Sequence, residues 1–106
     1  QGADAIFRSG DLEVDLAARG VRKRGQEVKL TPIEYSLLRL LITHAGKVLT
    51  HRQLLTEVWG PKAVEQTHYL RVHIAHLREK LEDKAGGSDL IRTEPGIGYR
   101  LVEAER

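Results

Sequence analysis

Apolar residues at Leu70, Ile74, Leu77 and Leu81 fall within one narrow sector of a helical projection, so Thr67–Leu81 is predicted to be a helix with one buried stripe. The opposite sector carries His68, Tyr69, Arg71, Val72, Ala75 and His76, with no acid before Glu79. Donors mixed with small apolar groups suit close approach to a duplex, where side chains read base edges in the major groove. The plainer reading of the same sector is a solvated face that lacks early acids.

Upstream the period is different. Leu12-Glu13-Val14-Asp15-Leu16 alternates apolar with polar, as a half-buried strand does. Val21 to Arg24 and Glu27 to Leu30 follow as strands, with Gly25-Gln26 as the expected hairpin turn, and Ile6 to Arg8 adds a strand before Gly10. Thr31-Pro32-Ile33-Glu34 then reads as a helix start: Thr31 is the N-cap, Pro32 the first helical residue, and Glu34 completes a capping box. Its apolar residues Ile33, Leu37, Leu38, Leu40, Leu41 and Ile42 cover much of the circumference, which predicts the central helix, stopped by Gly46 at C′. Thr50-His51-Arg52-Gln53 repeats the capping logic for a second helix with Leu54, Leu55 and Val58 inside, ended by Trp59-Gly60-Pro61.

Gly60 to Gln66 is a loop longer than the turn of a simple helix-turn-helix. Past Leu81, Glu82 to Ser88 with Gly86-Gly87 closes the third helix. Leu90-Ile91-Arg92-Thr93 and Tyr99-Arg100-Leu101-Val102 flank the tip Glu94-Pro95-Gly96-Ile97-Gly98, a C-terminal β-hairpin or wing. The predicted class is therefore α+β: a small N-terminal antiparallel sheet, a three-helix core and a wing, in a single domain over residues 1–106.

Composition narrows this little. Net charge is +2, with 41% hydrophobic residues and no cysteine, so disulfides and thiolate metal sites are not expected. No apolar run approaches a membrane span and no charged-then-apolar signal segment opens the sequence, and the absence of cysteine fits the expected cytoplasmic location. Methionine is absent too, so the chain is expected to be a fragment, with residues 1–5 a tag remnant or linker. Charge is uneven: Asp4, Asp11, Glu13 and Asp15 precede the basic cluster Arg19, Arg22, Lys23, Arg24 and Lys29, an asymmetry able to orient a domain in a field.

The chain resembles the OmpR/PhoB winged-helix DNA-binding domain of bacterial response regulators. The likeness rests on Leu30-Thr31-Pro32-Ile33-Glu34-Tyr35, on Gly46-Lys47-Val48-Leu49-Thr50-His51-Arg52-Gln53-Leu54-Leu55, and on Val58-Trp59-Gly60. It continues in Val72-His73-Ile74, Leu77-Arg78-Glu79-Lys80-Leu81 and Gly96-Ile97-Gly98-Tyr99-Arg100. Gly60-Pro61-Lys62-Ala63-Val64 followed by His68-Tyr69-Leu70-Arg71 looks most like the members that regulate potassium-uptake operons. The resemblance implies a missing N-terminal receiver domain phosphorylated on Asp by a histidine kinase, with the acidic N-terminal sheet facing it. It also implies a monomer in isolation that dimerises on paired half-sites of double-stranded DNA, and contact with RNA polymerase. No cofactor is implied.

Carried over by position, the groove-reading residues are His68, Tyr69, Val72, Ala75 and His76, all in the sector already predicted to be exposed. Phosphate contacts fall to Thr50 and Arg52 at the second helix N-terminus and to Arg71, Arg78 and Arg92, and wing contacts to Thr93, Gly96 and Tyr99. The polymerase-facing loop is Trp59, Gly60, Pro61, Lys62, Ala63, Val64, Glu65 and Gln66. Two departures from many relatives matter. Ala75 and His76 replace arginines, so the sequence read should differ, and Pro95 stands where some relatives insert Arg into the minor groove.

Other readings are weaker. His73 and His76 lie three apart on one helix but lack a third ligand at matching spacing, Glu79 being the nearest, so no metal is expected. His73 is expected to pack with one nitrogen bonded, Trp59 to anchor the second helix in the core, and Gly96-Ile97-Gly98 to be turn chemistry. An enzyme fails on inventory: Ser9, Ser36 and Ser88 lie in no nucleophile motif and no carboxylates pair across an obvious pocket. The remaining alternative is a winged-helix module that binds only protein, and the acid-free sector of the third helix argues against it.

Overall fold

Two capping boxes start the first two helices. In the computed structural model, which describes residues 6–82 and 90–102, Thr31 Oγ1 accepts the Glu34 N–H at 3.2 Å and Glu34 Oε1 accepts the Thr31 N–H at 3.0 Å, opening α1 (Pro32–Thr43). Thr50 and Gln53 make the same exchange at 3.0 and 2.8 Å to open α2 (His51–Trp59). Each box satisfies N–H groups that the helix itself leaves unpaired. α3 (Thr67–Leu81) has no side-chain cap at Gln66.

α1 stops earlier than expected. Its C-cap is His44, so Gly46 lies beyond the predicted C′ position. The N–H groups of His44 and Ala45 turn back onto Leu40 O and Ile42 O, which leaves Gly46 (φ +86°) to make the bend and donate to Leu101 O at 3.0 Å. The glycine serves the next strand, not the helix end.

The N-terminal sheet is a meander of β1 (Ile6–Ser9), β2 (Leu12–Asp15), β3 (Gly20–Lys23) and β4 (Gln26–Glu27), paired antiparallel in sequence order. Its last turn is Arg24-Gly25, not Gly25-Gln26: Lys23 pairs with Gln26, and φ is +55° at Arg24 and +79° at Gly25, the signs that a two-residue I′ loop requires. Asp11 holds this arrangement, accepting from Arg24 Nε and Lys23 Nζ at 3.0 Å each, while its carbonyl accepts the Arg24 N–H. β4 is correspondingly short: Val28 N–H still donates to Val21 O of β3 at 2.8 Å, and the Val28 and Leu30 side chains pack on the core.

Register places Arg8 opposite Glu13, Glu13 opposite Arg22, and Arg22 opposite Glu27. Charges that are segregated along the chain therefore alternate across the sheet, and the asymmetry read from the sequence largely cancels in space.

The wing holds a strand that periodicity does not show. β5 (Val48–Thr50) pairs with β7 (Gly98–Leu101), which pairs with β6 (Ile91–Glu94), giving the order β5-β7-β6. The strands approach so closely that a Cβ at Gly98 would stand 1.9 Å from Leu49 O. Leu12, Val14 and Val21 of the first sheet and Leu101 and Ile91 of the second close over a helical core of Leu37, Leu38, Leu41, Leu54, Leu55, Leu70, Ile74, Leu77 and Leu81. Val58 is only partly buried against it. The Gly86-Gly87 helix end and residues 1–5 fall outside the described residues. Among those described, no helix is long and apolar enough to cross a membrane.

Candidate nucleic-acid interface

α3 is seated by its stripe: Leu70 and Leu77 are 0% exposed, Ile74 1% and Leu81 2%. The opposite face presents His68, Tyr69, Arg71, Ala75 and His76 to solvent, with Val72 half-buried among them. Tyr69, at 55% exposure, is one of the large apolar groups left outside the core. Glu79 is exposed too, in the C-terminal half of the helix. An exposed ridge of imidazoles, a phenol, an arginine and small apolar groups matches the edge chemistry of a major groove.

Two contacts fix one flank of this helix. His73 lies against Trp59, ring centroids 5.4 Å apart and near edge-on, and its Nδ1–H donates to Tyr69 O at 2.8 Å. Trp59 is half-buried at the end of α2, and both residues pack as their sequence positions lead one to expect. On the same flank, Lys80 Nζ reaches Glu34 Oε1 at 2.6 Å and Lys29 O at 3.1 Å, and His76 Nδ1 faces Glu34 Oε2 at 3.7 Å.

Glu34 is 2% exposed. Burial pushes its carboxyl up, but the Lys80 ammonium and the Thr31 N–H outweigh it and hold the group below its ordinary value. The sequence shows Glu34 only as a cap. Its bond to α3 was signalled by His76 and Lys80 standing four apart on one flank, a pairing whose partner lies 46 residues away from Lys80 in the chain.

The other flank carries the wing. Arg78, expected at a phosphate, is half-buried and donates to Ile91 O from Nε (3.2 Å) and Nη2 (2.8 Å) and to Thr93 Oγ1 from Nη2 (2.7 Å). Its guanidinium carbon lies 5.7 Å from the Tyr99 ring centroid. Tyr99 itself, assigned to wing contact, is 5% exposed and packs edge-on against His51: it faces the core together with Leu101, two positions on in β7. Its ring belongs to the domain interior, not to the wing surface.

The remaining cations are differently placed. Arg92 on β6 is exposed and stands directly across from Arg100, whose Nη2 lies 2.6 Å from Glu94 Oε2. Glu94 thus offsets Arg100. Arg52, in the first turn of α2, and Arg71 are exposed, and among the described residues no hydrogen bond or ion pair engages Arg52, Arg71 or Arg92. Thr50 Oγ1 is occupied by the Gln53 N–H. At the wing tip, Ile97 N–H closes a turn on Glu94 O at 2.9 Å, with Pro95 and Gly96 (φ +75°) at its centre, the residue order of a type II turn. Gly96 and Pro95 are exposed, and Ile97 is 53% exposed.

The Gly60–Gln66 segment is more ordered than the predicted loop: Pro61–Ala63 is a 3₁₀ turn, and Gly60 (φ +110°) caps α2 by donating to Leu55 O and Thr56 O. Pro61, Lys62, Glu65 and Gln66 are exposed, whereas Trp59, Gly60, Ala63 and Val64 are half-buried.

The profile of the family described as "Transcriptional regulatory protein, C terminal" matches residues 25–101. The chain is 52% identical over 99 residues to the KDP operon transcriptional regulatory protein KdpE of Escherichia coli, covering 93% of this chain and 44% of that protein. It is 45% identical over 96 residues to the transcriptional regulatory protein KdpE of Mycobacterium tuberculosis, covering 91% and 42%. The chain thus spans less than half the length of these relatives. Among solved structures it resembles the DNA-binding domain of CpxR from E. coli (TM-score 0.81, 32% identity, 94% of this chain and 98% of that one). It also resembles the Klebsiella pneumoniae RstA DNA-binding domain in complex with the RstA box (TM-score 0.80, 30% identity, 92% and 96%).

Proposed function

The chain belongs to the family of C-terminal domains of transcriptional regulatory proteins, and from that premise we propose that it binds double-stranded DNA selectively as the effector domain of a two-component response regulator. The observation that carries the reading is the exposed face of α3, acid-free from His68 to His76 and set on a fully buried stripe. α3 enters the major groove. His68, Tyr69 and His76 offer hydrogen bonds there, and Val72 and Ala75 contact thymine methyls. Arg52, Arg71 and Arg92, with the N-terminus of α2 at Thr50, hold phosphates and fix register, and Arg78 and Thr93 position the wing. The RstA domain bound to its box supports a DNA ligand, and the KdpE relatives support a potassium-uptake operon as the target.

In the intact protein, the same reading adds a receiver domain phosphorylated by a histidine kinase, a dimer on DNA formed from domains that are monomeric alone, and a cytoplasmic location. It assigns RNA polymerase to the surface from Trp59 to Gln66. No cofactor and no catalysis enter. Titrating the domain into labelled duplexes at graded salt tests the proposal. Log affinity should fall with log salt by about 0.9 per phosphate neutralised, and some sequences should compete far better than others. A flat salt response with equal competition by all duplexes would instead favour a winged-helix module that binds only protein.

A further inference from the structure

The two oxygens of Glu34 have different neighbours. Oε1 accepts from Thr31 N–H at 3.0 Å and from Lys80 Nζ at 2.6 Å, whereas the described group facing Oε2 is His76 Nδ1, at 3.7 Å. That distance is too long for a hydrogen bond. It is short enough for a fixed, buried negative charge to favour the proton on the nearer ring nitrogen. The His76 side chain is 53% exposed, and among the described residues its other nitrogen, Nε2, has no hydrogen-bond partner. The other groups near the ring are His73, with its centroid 6.3 Å away, and Lys80, which shares Glu34. His73 already shows the same tautomer, because its Nδ1 bonds a carbonyl, which can only accept.

We infer that Glu34 sets which base edge His76 reads, by holding the neutral imidazole's proton on Nδ1 and leaving Nε2 as an acceptor. An acceptor in the major groove meets the exocyclic amine of adenine (N6) or cytosine (N4), not the acceptors of guanine (O6, N7) or thymine (O4). Glu34 is thus a positioning residue that selects the base without touching DNA, while its cap and its Lys80 pair hold the helices. The inference rests on the proposed groove reading of α3. It goes beyond it in naming the base class and the buried group that chooses it.

Two measurements on the domain test it separately. The first is the tautomer of His76 in the free domain, read from two-bond ¹H–¹⁵N imidazole correlations at about pH 8, where an ordinary histidine is neutral. The wild type should show Nδ1–H, and Glu34→Gln should move His76 toward Nε2–H, the form a free imidazole favours. An Nε2–H ring in the wild type overturns the inference, and that spectrum decides even if the Gln variant does not fold.

The second is competition among four duplexes that differ only at the base pair where His76→Ala loses discrimination. The wild type should prefer an amine-bearing base by roughly ten-fold. Glu34→Gln should reduce the preference to within about two-fold, and should change nothing in a His76→Ala background. A guanine preference indifferent to Glu34 overturns it. An Nδ1–H ring in a domain that discriminates no sequence fails the groove reading alone, whereas discrimination with an Nε2–H ring fails the role of Glu34 alone.

Discussion

Arg78 in α3 gives the Ile91 carbonyl of β6 two hydrogen bonds, from Nε at 3.2 Å and from Nη2 at 2.8 Å. This guanidinium joins α3 to the wing together with the Glu82 carboxylate at the end of α3, whose Oε2 accepts the Leu90 and Ile91 N–H groups at 3.0 and 2.9 Å, so the spacing between the two elements proposed to touch DNA depends on both. A planar fork can serve one oxygen from two nitrogens while also reaching Thr93 Oγ1.

Arg78→Ala is expected to lower stability by about 1.5–3 kcal/mol, the range for hydrogen bonds to charged groups, and to weaken binding to every duplex. Arg78→Lys should restore little, since an ammonium cannot reproduce the fork. Urea unfolding and binding isotherms on both variants check this. If Arg78 acted chiefly on a phosphate, stability would hold and only the salt slope would drop, by about one.

Glu34 predicts an acid-dependent part of the stability. Its carboxyl is held below the ordinary 4.5, so folding favours the ionised form. That contribution is complete above 4.5 and is lost as pH falls through the lower value of the folded state. Glu34→Gln should therefore be less stable than wild type near neutral pH, with the gap narrowing in acid. Urea midpoints compared between about pH 7 and about pH 3 measure it, and a gap constant over that range rules the linkage out.

What the sequence made legible was local. Both capping boxes and the α3 stripe follow from spacings of three and four residues, and His68, Tyr69, Ala75 and His76 are exposed as those spacings require. What it hid was long-range. β5 is too short to show a period, and Gly98 reads as turn chemistry although its reason is the Leu49 carbonyl across the sheet. The burial of Tyr99 was hidden for the same cause, since which face of β7 looks inward depends on partners far away in the chain. Arg78 sits beside the apolar stripe on the helical projection, but nothing local reveals the carbonyl thirteen residues on that it binds.

Ala75 tests the phase of α3. It is exposed on the face opposite the stripe, so Ala75→Glu should abolish DNA binding by placing a carboxylate against phosphates. Stability should move by no more than about 0.5 kcal/mol, as for most exposed substitutions. Melting curves run beside a binding assay separate the two effects. A variant that melts much lower would show Ala75 to be packed, not exposed.

The wing tip carries the last prediction. Pro95 is exposed at the centre of the Glu94–Ile97 turn and has no N–H to donate, and the neighbouring Glu94 carboxylate lies 2.6 Å from Arg100. A tip of this chemistry has no cation to place in a narrow A·T minor groove, where Arg is attracted by the enhanced negative potential. Pro95→Arg should therefore raise affinity and create a preference for A-tracts beside the major-groove site. The change should loosen the hairpin by about 0.4–1 kcal/mol, because proline restricts the unfolded chain. Wild type and variant are compared on duplexes sharing the major-groove site but flanked by A-tract or G·C sequence. A variant that gains no preference defeats the prediction. So does a wild type that already discriminates between the flanks, and that result would point to Arg92, exposed on β6, as the cation already in the minor groove.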